Sequence, residues 1–270
     1  MPNETLLLWA SLMVYVAGGC TAIIATVFKR RPERTVLALM LLGLLLQTLA
    51  IGLRWERLGH GPFNTMFEIL SSNIWSLTLF FSIVYWRIRA IRPIAVFVLP
   101  VLFMMMGWMM MMPDHDSILP TTYQTVWLYV HIGFGKVFMG ALLVSFGLAM
   151  VVLLREGAFI KENFARLPDN RSLDELSYRF ILLALIFDSL MLVAGAIWAQ
   201  EAWGRYWAWD PLETWAFASW LLLAFTLHCR VTFRPQPLYS AMLAILVFAI
   251  SFMTFFGIPF INQVPHKGAV

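Results

Sequence analysis

Charge is what this sequence has least of. Of 270 residues only 13% are Asp, Glu, Lys or Arg and 61% are hydrophobic, at a mean hydropathy of +0.78. A chain so composed has too little polar surface to enclose its apolar residues in one water-soluble core, so a soluble enzyme or soluble binding domain is excluded and lipid must solvate most of it. Cysteine is scarce as well: Cys20 and Cys229 are the only two, they are expected at different membrane depths, and they read as packing residues and not as a disulfide framework. Internal repeats and Gly/Ser/Pro-rich linkers are also missing, which predicts a single polytopic membrane domain over residues 1–270.

What fills the chain instead is apolar stretches long enough to cross a hydrocarbon core of about 30 Å as helix. Eight such spans are predicted, at about 6–28, 35–53, 68–86, 93–112, 125–154, 180–199, 211–229 and 238–257, the fifth long enough to protrude. The first has no basic segment ahead of it and no small-residue cleavage site, and reads as a retained helix. Pro93 and Pro211 fall where a helix tolerates proline, at its first position, and Pro100 predicts a kink in the fourth span. The residues 155–178 form the one long polar connection and read as a surface loop. The fold class is therefore an all-α integral membrane protein, a bundle of about eight transmembrane helices.

Positive charge sets the expected orientation, because short cytoplasmic loops carry the excess of Lys and Arg. Fourteen of the 19 basic residues fall in one set of alternate loops, beginning with Lys29, Arg30, Arg31 and Arg34, and the remaining five are Arg54, Arg57, Lys136, Arg205 and Lys267. Both termini and the loop 200–215 are then expected outside the cytoplasm, in the cytoplasmic (inner) membrane. The net charge of +4 reflects this topology. It forms no basic stripe, which argues against a nucleic-acid partner.

Three expected outer segments stand out: RWERLGHGPFNTMF (54–67), QEAWGRYWAWDPLETW (200–215) and IPFINQVPHKGAV (258–270). With His131 they are candidates to converge on one outward-facing pocket. Trp203, Tyr206, Trp207, Trp209 and Trp215 lie within thirteen residues. Singly such rings belong to the interfacial belt of any membrane protein; together they offer a shelf for a flat apolar ligand. Asp210-Pro211-Leu212-Glu213 has the pattern of a capping box launching the seventh helix, and that helix N-terminus favours an anionic group such as a propionate.

The histidines divide by depth. His60, His131 and His266 are expected outside, His115 in a solvated turn, and His228 some 18 residues below Asp210, about 27 Å along a helix and so out of reach of the outer set. A lone interfacial histidine is ordinarily an unremarkable polar residue, but an outer pair beside an aromatic shelf is what a bis-histidine haem requires. Within the spans Asp188 is the deepest ionisable residue and is expected to pair with a base or hydrogen-bond inside the bundle. Lys136 is expected to snorkel outward or to neutralise a propionate. The methionines at 104–106 and 109–112 read as packing and not as ligands.

DELSYRF (174–180), GAIWAQEAWGRYWAWDPLETWAFASW (195–220) and LHCR (227–230) closely resemble the CcsA/ResC family of cytochrome c biogenesis proteins, whose hallmark is the tryptophan-rich WWD motif, here within 200–216. GHGPFNTMFEIL (59–70) looks like a diverged form of that family's first outer loop, and FFGIPFIN with His266 is similar to its last helix and final histidine, although PHKG replaces the family's GLHSY context. The resemblance runs from about residue 55 to the C-terminus. It implies a System II cytochrome c synthase subunit working with a CcsB/ResB-type membrane protein, carrying haem b transiently and delivering it to the CxxCH cysteines of apocytochrome c. His131 and His266 would be the axial ligands at the outer WWD site, with His60 the alternative second ligand, and His228 part of an inner haem station. The chain has no CxxCH of its own and is not itself a c-type cytochrome.

Rival readings are a CcmC-like haem chaperone, a related haem-linked membrane regulator, a membrane cytochrome b, whose histidines would pair within the spans, and a small-solute transporter. The last would want broken helices and polar groups near the midplane, which Asp188 alone hardly supplies.

Overall fold

Runs of Leu, Val, Met and Phe in lipid leave the backbone no partner but itself, and helix is the local solution that satisfies every N–H and C=O. The computed structural model describes residues 3–30, 32–116, 118, 120–155, 164 and 167–258. Among them there is no strand, and eight helical segments are long and apolar enough to span a bilayer: α1 (Asn3–Val27), α2 (Glu33–Leu58), α3 (Met66–Arg87), α4 (Ala95–Met110) together with the 3-10 turn Arg89–Ile94 ahead of it, α5 (Val126–Leu154), α6 (Asn170–Trp203), α7 (Pro211–Thr232) and α8 (Pro237–Phe252), the last continued by a π-helical turn at Met253–Gly257. The all-α, multi-span expectation is met, span for span.

Two local expectations need correction. Pro93 does not open α4 but lies inside a 3-10 turn, Arg89–Ile94, ahead of it; a tight turn tolerates the missing N–H as well as a helix start does. Pro100 lies inside α4, within the fourth span as expected. The largest difference is α6, which starts at Asn170, ten residues before the expected 180. Asp169 caps it, accepting from the Ser172 N–H, and Leu173, Ser177 and Phe180 extend the buried face one turn after another. The polar connection ends there, because a cap and an apolar stripe outweigh the local density of charge.

The chain falls into two compact units. The first, Met1–Ile118 with Leu154–Pro168, contains α1–α4. Its helices are tied by a buried polar relay: Ser11 Oγ donates to the Gly43 carbonyl at 2.9 Å, Tyr15 OH donates to Gln47 Oε1 at 2.9 Å, and Gln47 Nε2 donates to the Ser71 carbonyl at 3.0 Å, so α1, α2 and α3 are joined in series. Such bonds register helices where apolar packing alone does not, since lipid tails are as apolar as leucine. Met105, Met106 and Met109 pack inside this unit, as expected of flexible gap-fillers.

At one end of the first unit α3 opens with a complete capping box, Thr65 with Glu68. The Arg54 guanidinium is buried there. It reaches Glu68 Oε1 at 3.1 Å, Glu4 Oε1 at 3.3 Å, the Asp114 carboxylate and the His115 carbonyl at 2.9 Å. Arg57 extends the network to Glu4 at 2.7 Å and Asp116 at 2.5 Å, and its guanidinium holds the Asp116 carboxyl below the usual range.

The second unit, Leu119–Leu153 with Asp169–Val270, contains α5–α8 as far as described. Ser145 and Ser177 share a bond of 2.8 Å, Trp220 Nε1 donates to Ser189 Oγ at 2.8 Å, and Ser219 and Thr254 meet at 3.0 Å. Phe138 against Phe255 and Phe146 stacked on Phe248 at 4.5 Å fill the spaces between.

Candidate functional site

His131 enters the site because α5 starts at Val126 and brings the sixth residue of its first two turns against α6. Its Nδ1 lies 2.9 Å from the backbone carbonyl of Met191. A carbonyl only accepts, so in the neutral ring Nδ1 carries the proton and Nε2 the lone pair. The ring stacks on Trp198 at 6.0 Å and 20° between planes. Trp198 is buried, and with Leu128 it forms a small apolar core that Tyr123, Trp127, Ile132, Ala202 and Trp203 complete.

Edge-to-face contacts hold that shell: Tyr123 to Trp198 at 5.3 Å, Tyr123 to Trp203 at 5.9 Å and Trp198 to Trp203 at 4.9 Å. Each such pair is worth about 0.5–1.5 kcal/mol beyond its burial. Tyr123 sits on a 3-10 turn, Thr121–Tyr123, just before α5, and burial raises the pKa of its hydroxyl.

α6 stops at Gly204, whose φ of 79° is the left-handed cap conformation that glycine adopts without penalty. The chain crosses to α7 in six residues. Trp209 also takes a left-handed backbone, φ 56°, an uncommon conformation for a bulky residue, immediately before the cap Asp210. Trp207 and Trp209 meet edge to face at 5.7 Å, both against Phe217, and Phe217 stacks on Trp220 at 8°. The Trp207 indole N–H is buried with no hydrogen-bond acceptor among the described residues. Asp210 accepts from the Glu213 N–H at 2.8 Å with Pro211 at the first helical position, while the returning arm of the box, Glu213 Oε2, accepts from the Ala208 N–H at 2.7 Å. Asp210 thus caps α7, and Glu213 clamps the loop two residues further back.

The remaining expected site residues are placed as follows. Tyr206 is exposed, and the Trp215 backbone carbonyl accepts from Thr254 at 3.4 Å. His228 is exposed near the far end of α7, edge to face with Phe233. His60 is buried in the first unit, its Nδ1 donating to the Gly61 carbonyl at 2.8 Å. His266 lies outside the described residues. Lys136 is half-buried on α5.

Asp188 corrects an expectation: it is fully buried, and neither carboxylate oxygen has a hydrogen-bond partner among the described residues. Four residues around His131 were not singled out from sequence: Tyr123, Trp127, Met191 and Trp198. Trp198 stood within the AIWAQ segment that carries the resemblance, but a backbone carbonyl has no signature in a sequence.

Comparisons with known proteins identify the family. The cytochrome c assembly protein family matches residues 35–266. The chain is 31% identical to the cytochrome c biogenesis protein CcsA of Prochlorococcus marinus (strain MIT 9301), over 90% of this chain and 87% of that one. It is 29% identical to CcsA of Cuscuta reflexa, over 84% and 83%, and 30% identical to CcsA of Coffea arabica, over 76% of each. The match covers α2 through α8, including every residue of the His131 shell, and the chain belongs to the cytochrome c assembly protein family.

Proposed function

We propose that this chain handles haem for cytochrome c maturation, as the CcsA-type subunit of a System II cytochrome c synthase. The observation that carries the reading is His131: an imidazole with its Nδ1 proton committed to a backbone carbonyl, so that Nε2 is the basic nitrogen, and with its ring stacked on Trp198. The residues present suit a haem. The rings of Trp198, Trp203, Trp207 and Trp209 suit a flat apolar macrocycle, the Trp207 indole offers an N–H to a polar edge group, and the N-terminus of α7 favours an anionic propionate.

His131 and His266 would hold the haem iron at this site, and Tyr206, Asp210 and Trp215 would complete the loop and cap that shape it. His228 is proposed for an inner station; as an exposed imidazole on a spanning helix it suits completion by a group from the CcsB/ResB-type partner. The haem taken is haem b, held transiently, and the acceptor is apocytochrome c with its CxxCH. Haem supplies the vinyl carbon to which a cysteine S–H adds, forming the thioether with no leaving group. The chain's part is to bind, orient and shield. The charge partition favours a cytoplasmic-membrane topology with both termini and the 200–216 loop outside.

The test is an absorption spectrum of the complex purified in mild detergent, oxidised and reduced, for wild type and His131→Ala, with covalent cytochrome c scored in the producing cells. A low-spin b-type spectrum that turns high-spin or fades on substitution, with loss of maturation, is expected. Unchanged haem and maturation in His131→Ala would remove the reading. Haem bound normally with thioether formation intact in a deletion strain would turn it toward a chaperone or regulator.

A further inference from the structure

The contact that orients His131 depends on a position that has no side chain. In α6 the Met191 carbonyl accepts the N–H of residue 195 as in any helix, and its second lone pair accepts the His131 Nδ1–H at 2.9 Å. Residue 195 is glycine. A Cβ built there would lie 2.7 Å from Nδ1 and 2.9 Å from Cε1 of His131, well inside van der Waals contact. Trp198 stands three residues further along the same buried face, with its ring stacked on the imidazole. Met191, Gly195 and Trp198 therefore present, at helical spacing, an acceptor, a gap and a wall, and the imidazole fills the gap.

We propose that Gly195 is a positioning residue: it admits the His131 ring to the Met191 carbonyl and so fixes both the tautomer and the direction in which Nε2 points. The proposal rests on the haem reading above. The neighbouring atom is not the end of a flexible chain that swings aside, because the ring is held between the α6 backbone and Trp198. Any β-carbon at 195 forces it off the carbonyl, releasing the Nδ1 proton from its acceptor and turning Nε2 from its line. Partners of this kind, holding the other nitrogen of a ligating histidine, typically change metal affinity by about 10–100-fold when lost.

The experiment uses the full chain co-expressed with its partner and compares wild type, Gly195→Ala, Trp198→Leu and His131→Ala by spectrum, midpoint potential and haem affinity. In Gly195→Ala the low-spin signal is expected to fall with a shifted potential, with haem affinity lower by about tenfold, and added imidazole to restore the low-spin form, since a free ligand does not need the ring's tether. Trp198→Leu, which removes the wall and adds nothing to the gap, is expected to shift the spectrum in the same direction; if Gly195→Ala does not accumulate, Gly195→Ala combined with His131→Gly, which removes the clashing ring, is expected to accumulate and to form the low-spin species with free imidazole, and failure to do so overturns the proposal. A normal spectrum and potential in these variants, with His131→Ala altered, overturns the role of Gly195 and leaves the haem reading standing. A normal spectrum in His131→Ala removes both.

Discussion

At the scale of single residues, two of the buried charged side chains, Arg54 and Asp188, are treated in opposite ways. Arg54 is enclosed by carboxylates and a carbonyl, whereas Asp188 has no hydrogen-bond partner among the described residues. Breaking a buried pair leaves an uncompensated charge at a cost of about 3–5 kcal/mol, so Arg54→Met is expected to lower stability by that order, and Glu68→Gln in the same chain to recover part of it. Unfolding of the four chains of the double-mutant cycle in detergent measures the coupling. Asp188→Leu, branched at the same carbon and free of polar atoms, is expected to raise stability by about 1–3 kcal/mol, because a buried group without partners costs its desolvation. A higher denaturation midpoint with normal haem content is the expected result; a lost maturation activity would show that the carboxyl serves the chemistry.

At the scale of elements, the start of α7 separates two roles for Asp210. If it acts as a cap, Asp210→Ala costs about 1 kcal/mol and Asp210→Asn costs little, since asparagine accepts the same Glu213 N–H. Thermal midpoints and haem spectra of the two variants check this, and a spectral change in Asp210→Asn at wild-type stability would assign the charge a direct part. Helices were legible in the sequence for a plain physical reason: lipid imposes a length and a composition on each span, and Asp210 with Pro211 announces a start in four letters. The early start of α6 was not, because Asp169 and the stripe Leu173, Ser177, Phe180 are read correctly only once charged neighbours such as Arg171 and Arg179 are known to face outward. The site divides the same way. Its tryptophans and His131 are visible as residue types at a spacing, but Gly195 and the Met191 carbonyl act through absence and through backbone, and Tyr123 joins them from another element.

At the scale of the whole molecule, function depends on which side of the membrane the aromatic loop occupies, since an acceptor cytochrome meets only one face. The distribution of Lys and Arg over four short loops makes the orientation redundant, so neutralising Lys29, Arg30, Arg31 and Arg34 together is expected to leave it unchanged, the other three loops still holding their excess. In a chain with Cys20 and Cys229 replaced, a cysteine at the exposed Thr122 is expected to react with a membrane-impermeant maleimide in intact cells. One at Thr232, at the opposite end of α7 from the loop, is expected to react only after the cells are opened. The reverse pattern would put His131 and the 200–216 loop on the cytoplasmic side. It would assign this face to haem uptake and require the delivery site to be formed at the other end of the spans, near His228.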